Sequence, residues 1–144
     1  MTGNQDSGNG RIVVINPNSS DAVTNAMNIA LDPLRLDGGP HIDCVTMSEG
    51  PPGIETQEHV DDAVGRICEL VKDEAVGVDA FVIACFSDPG LRSARELTDV
   101  PVFGIAESAF SIAETKLLVY SSLKLLKYSS TKMGKNDTAF VFSN

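Results

Sequence analysis

The chain has 144 residues, 42% of them hydrophobic and 22% charged, a balance that suits one soluble globular domain with an apolar core. A formal net charge of −9 at pH 7 argues against nucleic acid or an anionic membrane as a partner, and no apolar run reaches membrane-spanning length. The charge is uneven: six Lys/Arg and eighteen Asp/Glu give residues 1–110 a charge of −12, whereas five lysines and two acids give residues 111–144 a charge of +3.

In chain order, residues 1–10 are polar and glycine-rich and are expected to form a disordered leader, unlike a signal peptide. With no export signal in view, the expected compartment is the reducing cytoplasm, and the three cysteines are expected as free thiols. Arg11 to Asn16 is a short β-branched run, which predicts a buried parallel strand. The turn Pro17-Asn18-Ser19-Ser20-Asp21 leads into a helix expected to carry Val23, Ala26, Met27 and Ala30 on one face and to end before Pro33. A loop through Gly38-Gly39 precedes a second strand, His41 to Met47. Glycine and proline then keep Ser48 to Glu55 out of regular structure.

The clearest periodicity follows. Val60, Ala63, Val64, Ile67, Cys68 and Val71 recur at helical spacing and predict an amphipathic helix on a sheet. Asp79 to Cys85 is expected as the third strand, with Asp88 capping a helix that has Pro89 at its first position. Val100 to Ile105 is the fourth strand. Alternating strands and helices imply an α/β fold with a parallel, doubly wound sheet and flanking helices. Beyond Phe110 the pattern weakens to a helix over Lys116–Lys132 and a strand over Thr138–Phe142, with a change of character near Ser111. The expected organisation is a leader (1–10), an α/β lobe (11–110) and a tail (111–144).

Ligands of parallel α/β sheets bind outside the carboxyl ends of the strands. Four segments reach that edge: Asn16 to Asn18, Ser48 to Thr56, Cys85 to Asp88 and Ala106 to Ser108. Cys85, placed before a helix N-terminus, reads either as a thiol made reactive by the helix dipole or as a buried space-filling cysteine. Cys44 and Cys68 read as packing residues. Asn16 either bonds a ligand or caps the turn, while Ser19 and Ser20 suit helix capping. Glu55 and Glu107 can equally be solvated loop charges. His41 and His59 lack partners at metal-ligand spacing, so no metal site is expected, and no phosphate-binding loop appears.

Taken together, Arg11-Ile-Val-Val-Ile-Asn-Pro-Asn-Ser-Ser20, Gly53-Ile54-Glu55, Val82-Ile-Ala-Cys-Phe-Ser-Asp-Pro-Gly-Leu91 and Ala94-Arg-Glu-Leu-Thr-Asp-Val-Pro-Val-Phe-Gly-Ile-Ala-Glu107 resemble the hydantoin/allantoin racemase branch of the aspartate/glutamate racemase superfamily. The resemblance implies one flavodoxin-like lobe of a two-lobed racemase that needs no cofactor and acts on a small hydantoin, allantoin or amino-acid derivative. It implies Cys85 as one of two cysteines that move the α-proton, with Asn16, Pro17, Gly53, Ile54, Glu55, Phe86 and Glu107 lining the pocket. The family's second lobe, with its second cysteine, has no counterpart here, and no family pattern is expected from Ser111 onward. Activity of the chain as written is therefore expected to be impaired. A lone lobe also exposes an apolar face that invites self-association as a homo-oligomer. Two other readings stand beside this one: a non-catalytic fragment that binds a ligand or partner, and a one-cysteine lyase of the same superfamily.

Overall fold

The structure, a computed structural model, describes residues 10–132 and their side chains to residue 124. Residues 1–9 of the expected leader and the expected strand over 138–142 lie outside the described residues. Four strands, β1 (Arg11–Asn16), β2 (His41–Thr46), β3 (Ala80–Ile83) and β4 (Val102–Gly104), pair in parallel in the order β2-β1-β3-β4. This is the flavodoxin-like order. β1 lies between two neighbours, which explains its unbroken apolar run: Val13, Val14 and Ile15 are all buried.

Side chains alternate between the faces of each strand, so each strand supplies two layers. Val13, Ile15, Phe81, Ile83 and Val102 form one core with residues of α2 (Gln57–Glu74) and α3 (Leu91–Leu97). α2 begins at Thr56, whose side chain accepts the His59 N–H, and buries Ala63, Ile67 and Val71 along the expected stripe. Fully burying side chains such as Phe81 and Ile67 stabilises by roughly 1.5–3 kcal/mol each.

α1 (Asp21–Leu31) serves the opposite face, where it meets β2. It starts at Ser20, which accepts the Val23 N–H. Its roll differs from expectation: Thr24 is buried, Met27 and Leu31 are half-buried, and Val23, Ala26 and Ala30 are exposed. Polar contacts set that roll. The Thr24 hydroxyl meets the Thr46 hydroxyl at 2.6 Å and accepts from Asn16 Nδ2 at 3.1 Å. A 3-10 turn at Asp32–Leu34 ends the helix at Pro33.

Three further expectations are corrected. β3 stops at Ile83, so Cys85 lies in a turn beyond the strand and not at its last position. α3 starts at Leu91 behind Gly90 (φ +69°), so Asp88 is not its cap. Ile105 opens a helix, α4 (Ile105–Lys132), where a strand end is expected, and that helix begins eleven residues before the expected Lys116.

The chain divides into two compact units after Ser108. In the second unit Phe110, Leu117, Leu118 and Tyr120 are each more than half exposed. Among the described residues, no helix is long and apolar enough to cross a membrane.

Candidate active site at the sheet switch point

From β2 the chain crosses β1 to reach β3, so the strand order reverses between β1 and β3. In such sheets the loops that leave the two strands at this point run to opposite faces, and the carboxyl edge between them is the usual ligand position. The residues delivered there are Asn16-Pro17 and Ala84-Cys85, held together where the Ala84 N–H donates to the Ile15 carbonyl at 2.8 Å.

Asn16 is fully buried, and its side chain is occupied by the turn that follows. Nδ2 donates to Asn18 Oδ1 (2.9 Å), the Ser20 carbonyl (3.1 Å) and Thr24 Oγ1 (3.1 Å), while Oδ1 accepts the Asn18 N–H (3.2 Å). Of its two expected uses, this geometry is that of a turn-building residue. Pro17 is buried beside it. The loop after β2 is stitched to the same turn: the Ser19 N–H donates to the Pro51 carbonyl and the Met47 N–H to the Asn16 carbonyl. Gly50 fits because a Cβ there would lie 2.8 Å from the Pro17 carbonyl oxygen. Farther along this loop, Gly53 and Ile54 are half-buried, with Ile54 against the core, and Glu55 is exposed.

Cys85 is half-buried, with its sulfur 3.2 Å from the Ser87 hydroxyl. The helix of which it was expected to sit at the N-terminus begins six residues later, so the expected dipole contact is not made. Phe86 projects outward, 73% exposed. Asp88 closes the turn and bonds the first amides of α4, accepting from Ala106 N–H at 3.0 Å and Glu107 N–H at 2.7 Å. Sequence reasoning missed this role, because Asp-Pro reads as a local cap and the partners lie eighteen and nineteen residues away. Glu107 pairs with both terminal nitrogens of Arg95, at 3.1 and 2.5 Å, which holds its carboxyl below the ordinary carboxylate value.

The other two thiols stand apart. Cys44 is in register with Val14 and thus with Val82, two strands over and three residues short of Cys85. With strands ~4.8 Å apart, two strand spacings alone put the two positions on the order of 10 Å apart across the sheet. Burial pushes the Cys44 thiol up, against the pull of Arg35, and burial likewise raises Cys68 on α2. Among the described residues no group of His, Cys, Asp and Glu is placed to hold a metal ion. A groove of about 420 Å³ lies beside the Cys85 turn, lined by Val64, Asp88, Gly90, Leu91, Arg92, Ser93 and Glu107. A larger one of about 560 Å³ runs between the end of β2 and α2, past Thr46, Ser48, Arg66 and Leu70. Cys85 itself lines neither.

A four-stranded parallel sheet with flanking helices and a half-buried thiol beyond one strand at the switch point defines an α/β lobe of the doubly wound class. The chain belongs to the Asp/Glu/hydantoin racemase family, which matches residues 12–123. That match runs past Ser111 and so corrects the expectation of no family pattern from there onward. A hydantoin racemase of Pseudomonas sp. (strain NS671) is 46% identical over 107 residues, spanning 72% of this chain and 41% of that protein. A hydantoin racemase of Rhizobium meliloti is 41% identical over 108 residues, spanning 72% of this chain and 43% of that protein. The solved allantoin racemase from Klebsiella pneumoniae superposes with a TM-score of 0.68 at 40% identity, covering 74% of this chain and 43% of that one. This chain thus spans less than half the length of these relatives.

Proposed function

We propose that this chain is one lobe of a cofactor-independent racemase of hydantoins, allantoin or related amino-acid derivatives, with Cys85 as one of two proton-transferring thiols. The observation that carries this reading is the position of Cys85: a half-buried thiol just past β3, at the switch point, in a chain of this family. The chemistry follows from the substrate. A carbon-bound hydrogen next to a carbonyl is weakly acidic. The Cys85 thiolate takes that proton, an S–H bond forms, and the C–H electron pair moves into the carbonyl as an enolate. A second thiol on the opposite face then returns a proton to carbon, and the configuration inverts. General acid–base help of this kind is typically worth ~10²–10⁴-fold, and donors around the enolate oxygen lower the barrier further.

Asn16, Pro17, Gly53, Ile54, Glu55, Phe86 and Glu107 form the proposed pocket margin. Asn16 and Pro17 act by fixing the β1 turn, since their own groups are buried or bonded. Phe86 offers an exposed ring to whatever covers this edge.

The same reading makes these 144 residues poor catalysts by themselves. Cys44 lies two strands over from the strand that leads to Cys85, on the order of 10 Å across the sheet, and burial disfavours the thiolate of both Cys44 and Cys68. Neither supplies the second base. Polarimetry on enantiopure allantoin or a 5-substituted hydantoin tests this: little or no loss of rotation above buffer is expected. Rapid racemisation that disappears in Cys85→Ser would show the single lobe to be sufficient and overturn the impairment.

A further inference from the structure

The pocket margin above leaves out the side chain that ties the Cys85 turn to the next strand. Asp88 adopts φ +43°, the one non-glycine residue with positive φ among the described residues. Aspartate tolerates this region at some cost, and it persists there when surrounding contacts over-determine it. The Asp88 N–H donates to the Cys85 carbonyl at 3.0 Å, and its own carbonyl accepts the Leu91 N–H at 3.3 Å. Its carboxylate accepts the Ala106 and Glu107 N–H groups. Those amides belong to the first turn of α4, where N–H groups lack partners within the helix and favour an anion. The carboxylate fills the space that a Cβ on Gly104 would need, so the end of β4 is shaped to receive it.

We infer that Asp88 is a positioning residue for the Cys85 thiol: by clamping the turn after β3 to the start of α4, it fixes where the sulfur stands at the carboxyl edge. A side-chain N-cap usually stands next to its helix in sequence. This carboxylate instead reaches across to the following strand–helix junction, so the angle of the Cys85 turn depends on β4 and α4. The consequence for racemisation rests on Cys85 being the proton-transferring thiol, whereas the test needs no turnover.

Iodoacetamide alkylation of the whole chain, followed at each cysteine by mass spectrometry, gives the ratio of the folded rate to the urea-unfolded rate. For Cys85 this ratio is expected to differ from one by about threefold or more, as for thiols held in a defined environment. Asp88→Ala is expected to bring it towards one, with Asp88→Asn, which keeps one acceptor, in between. The ratios at Cys44 and Cys68 are expected to stay put. A Cys85 ratio near one in the unsubstituted chain overturns the inference. So does a ratio that Asp88→Ala leaves unmoved, or a shift shared equally by all three thiols. Where Asp88→Ala fails to fold, Gly104→Ala is read, since its Cβ displaces the same carboxylate; an unmoved Cys85 ratio there overturns the inference as well. None of these outcomes decides whether Cys85 takes a substrate proton, which polarimetry addresses separately.

Discussion

Both β1 and β3 end at the carboxyl edge of the sheet and hand the chain to a helix, yet their turns are held in different ways. After β1, the side chain of Asn16 works locally: it bonds Asn18, Ser20 and Thr24, and Ser20 caps the helix that follows it, while backbone bonds join the turn to the loop after β2. After β3, the turn is held from a distance. Gly90 starts α3 without a side-chain cap, while Asp88 serves α4 instead. The first junction is a finished piece of structure with no polar group of Asn16 left over. The second carries the thiol, an exposed ring and a strained aspartate.

The largest expected effect breaks the comparison at Cys85, the thiol proposed to move the proton. A lone base exchanges an α-hydrogen with solvent on one face even where inversion needs a second thiol. Exchange of the substrate α-hydrogen in D₂O, followed by proton NMR, is expected to run above the buffer rate. Cys85→Ser should then lower the catalysed part by ~10²–10⁴-fold. Exchange that survives the substitution would remove Cys85 from the proton path.

Two stability measurements sharpen the contrast between the turns. Asn16→Ala leaves buried partners of the β1 turn unsatisfied and should cost ~1–3 kcal/mol by urea unfolding, with the Cys85 alkylation ratio unchanged. Gly104→Ala forces a Cβ against the Asp88 carboxylate and should cost a similar ~1–3 kcal/mol, but with the Cys85 ratio altered. Equal effects on Cys85 would mean that the two junctions are not separately held. Ser20→Ala removes one helix cap and should cost about 1 kcal/mol in the same assay.

The local junction was partly legible in the sequence and the distant one was not, for a physical reason. β1 appeared at its observed limits because a buried strand between two neighbours demands a continuous β-branched run. The buried stripe of α2 appeared because one face of it meets the core along its length. The roll of α1 was misread because hydroxyl and amide contacts of Thr24, absent from any apolar pattern, set it. Asp88-Pro89 has the composition of a cap and first turn, and only the fold brings Ala106 within reach of that carboxylate. Cys85 was placed at the right edge of the sheet for a partly wrong reason, since the strand ends earlier and the helix starts later than its sequence suggests.

The smallest expected effect lies at the rim of the second junction. Arg95 bonds Glu107 through two nitrogens and also donates from Nε to the Val102 carbonyl, joining α3 to β4 and the start of α4. The guanidinium holds the Glu107 carboxyl below its ordinary value of 4.5. A carboxyl with a depressed folded-state pKa contributes stability that is fully present above the ordinary value and is lost as pH falls through the folded value. Thermal unfolding followed from neutral pH to below pH 4.5 should therefore fall slightly less steeply in Glu107→Gln than in the unsubstituted chain. Both groups are exposed, so solvent and added salt screen the pair and the difference stays small. Identical slopes would mean that Arg95 holds this junction through the Val102 carbonyl alone. In that case, among the described residues, the Asp88 carboxylate would be the charged side chain that fastens the start of α4 at this junction.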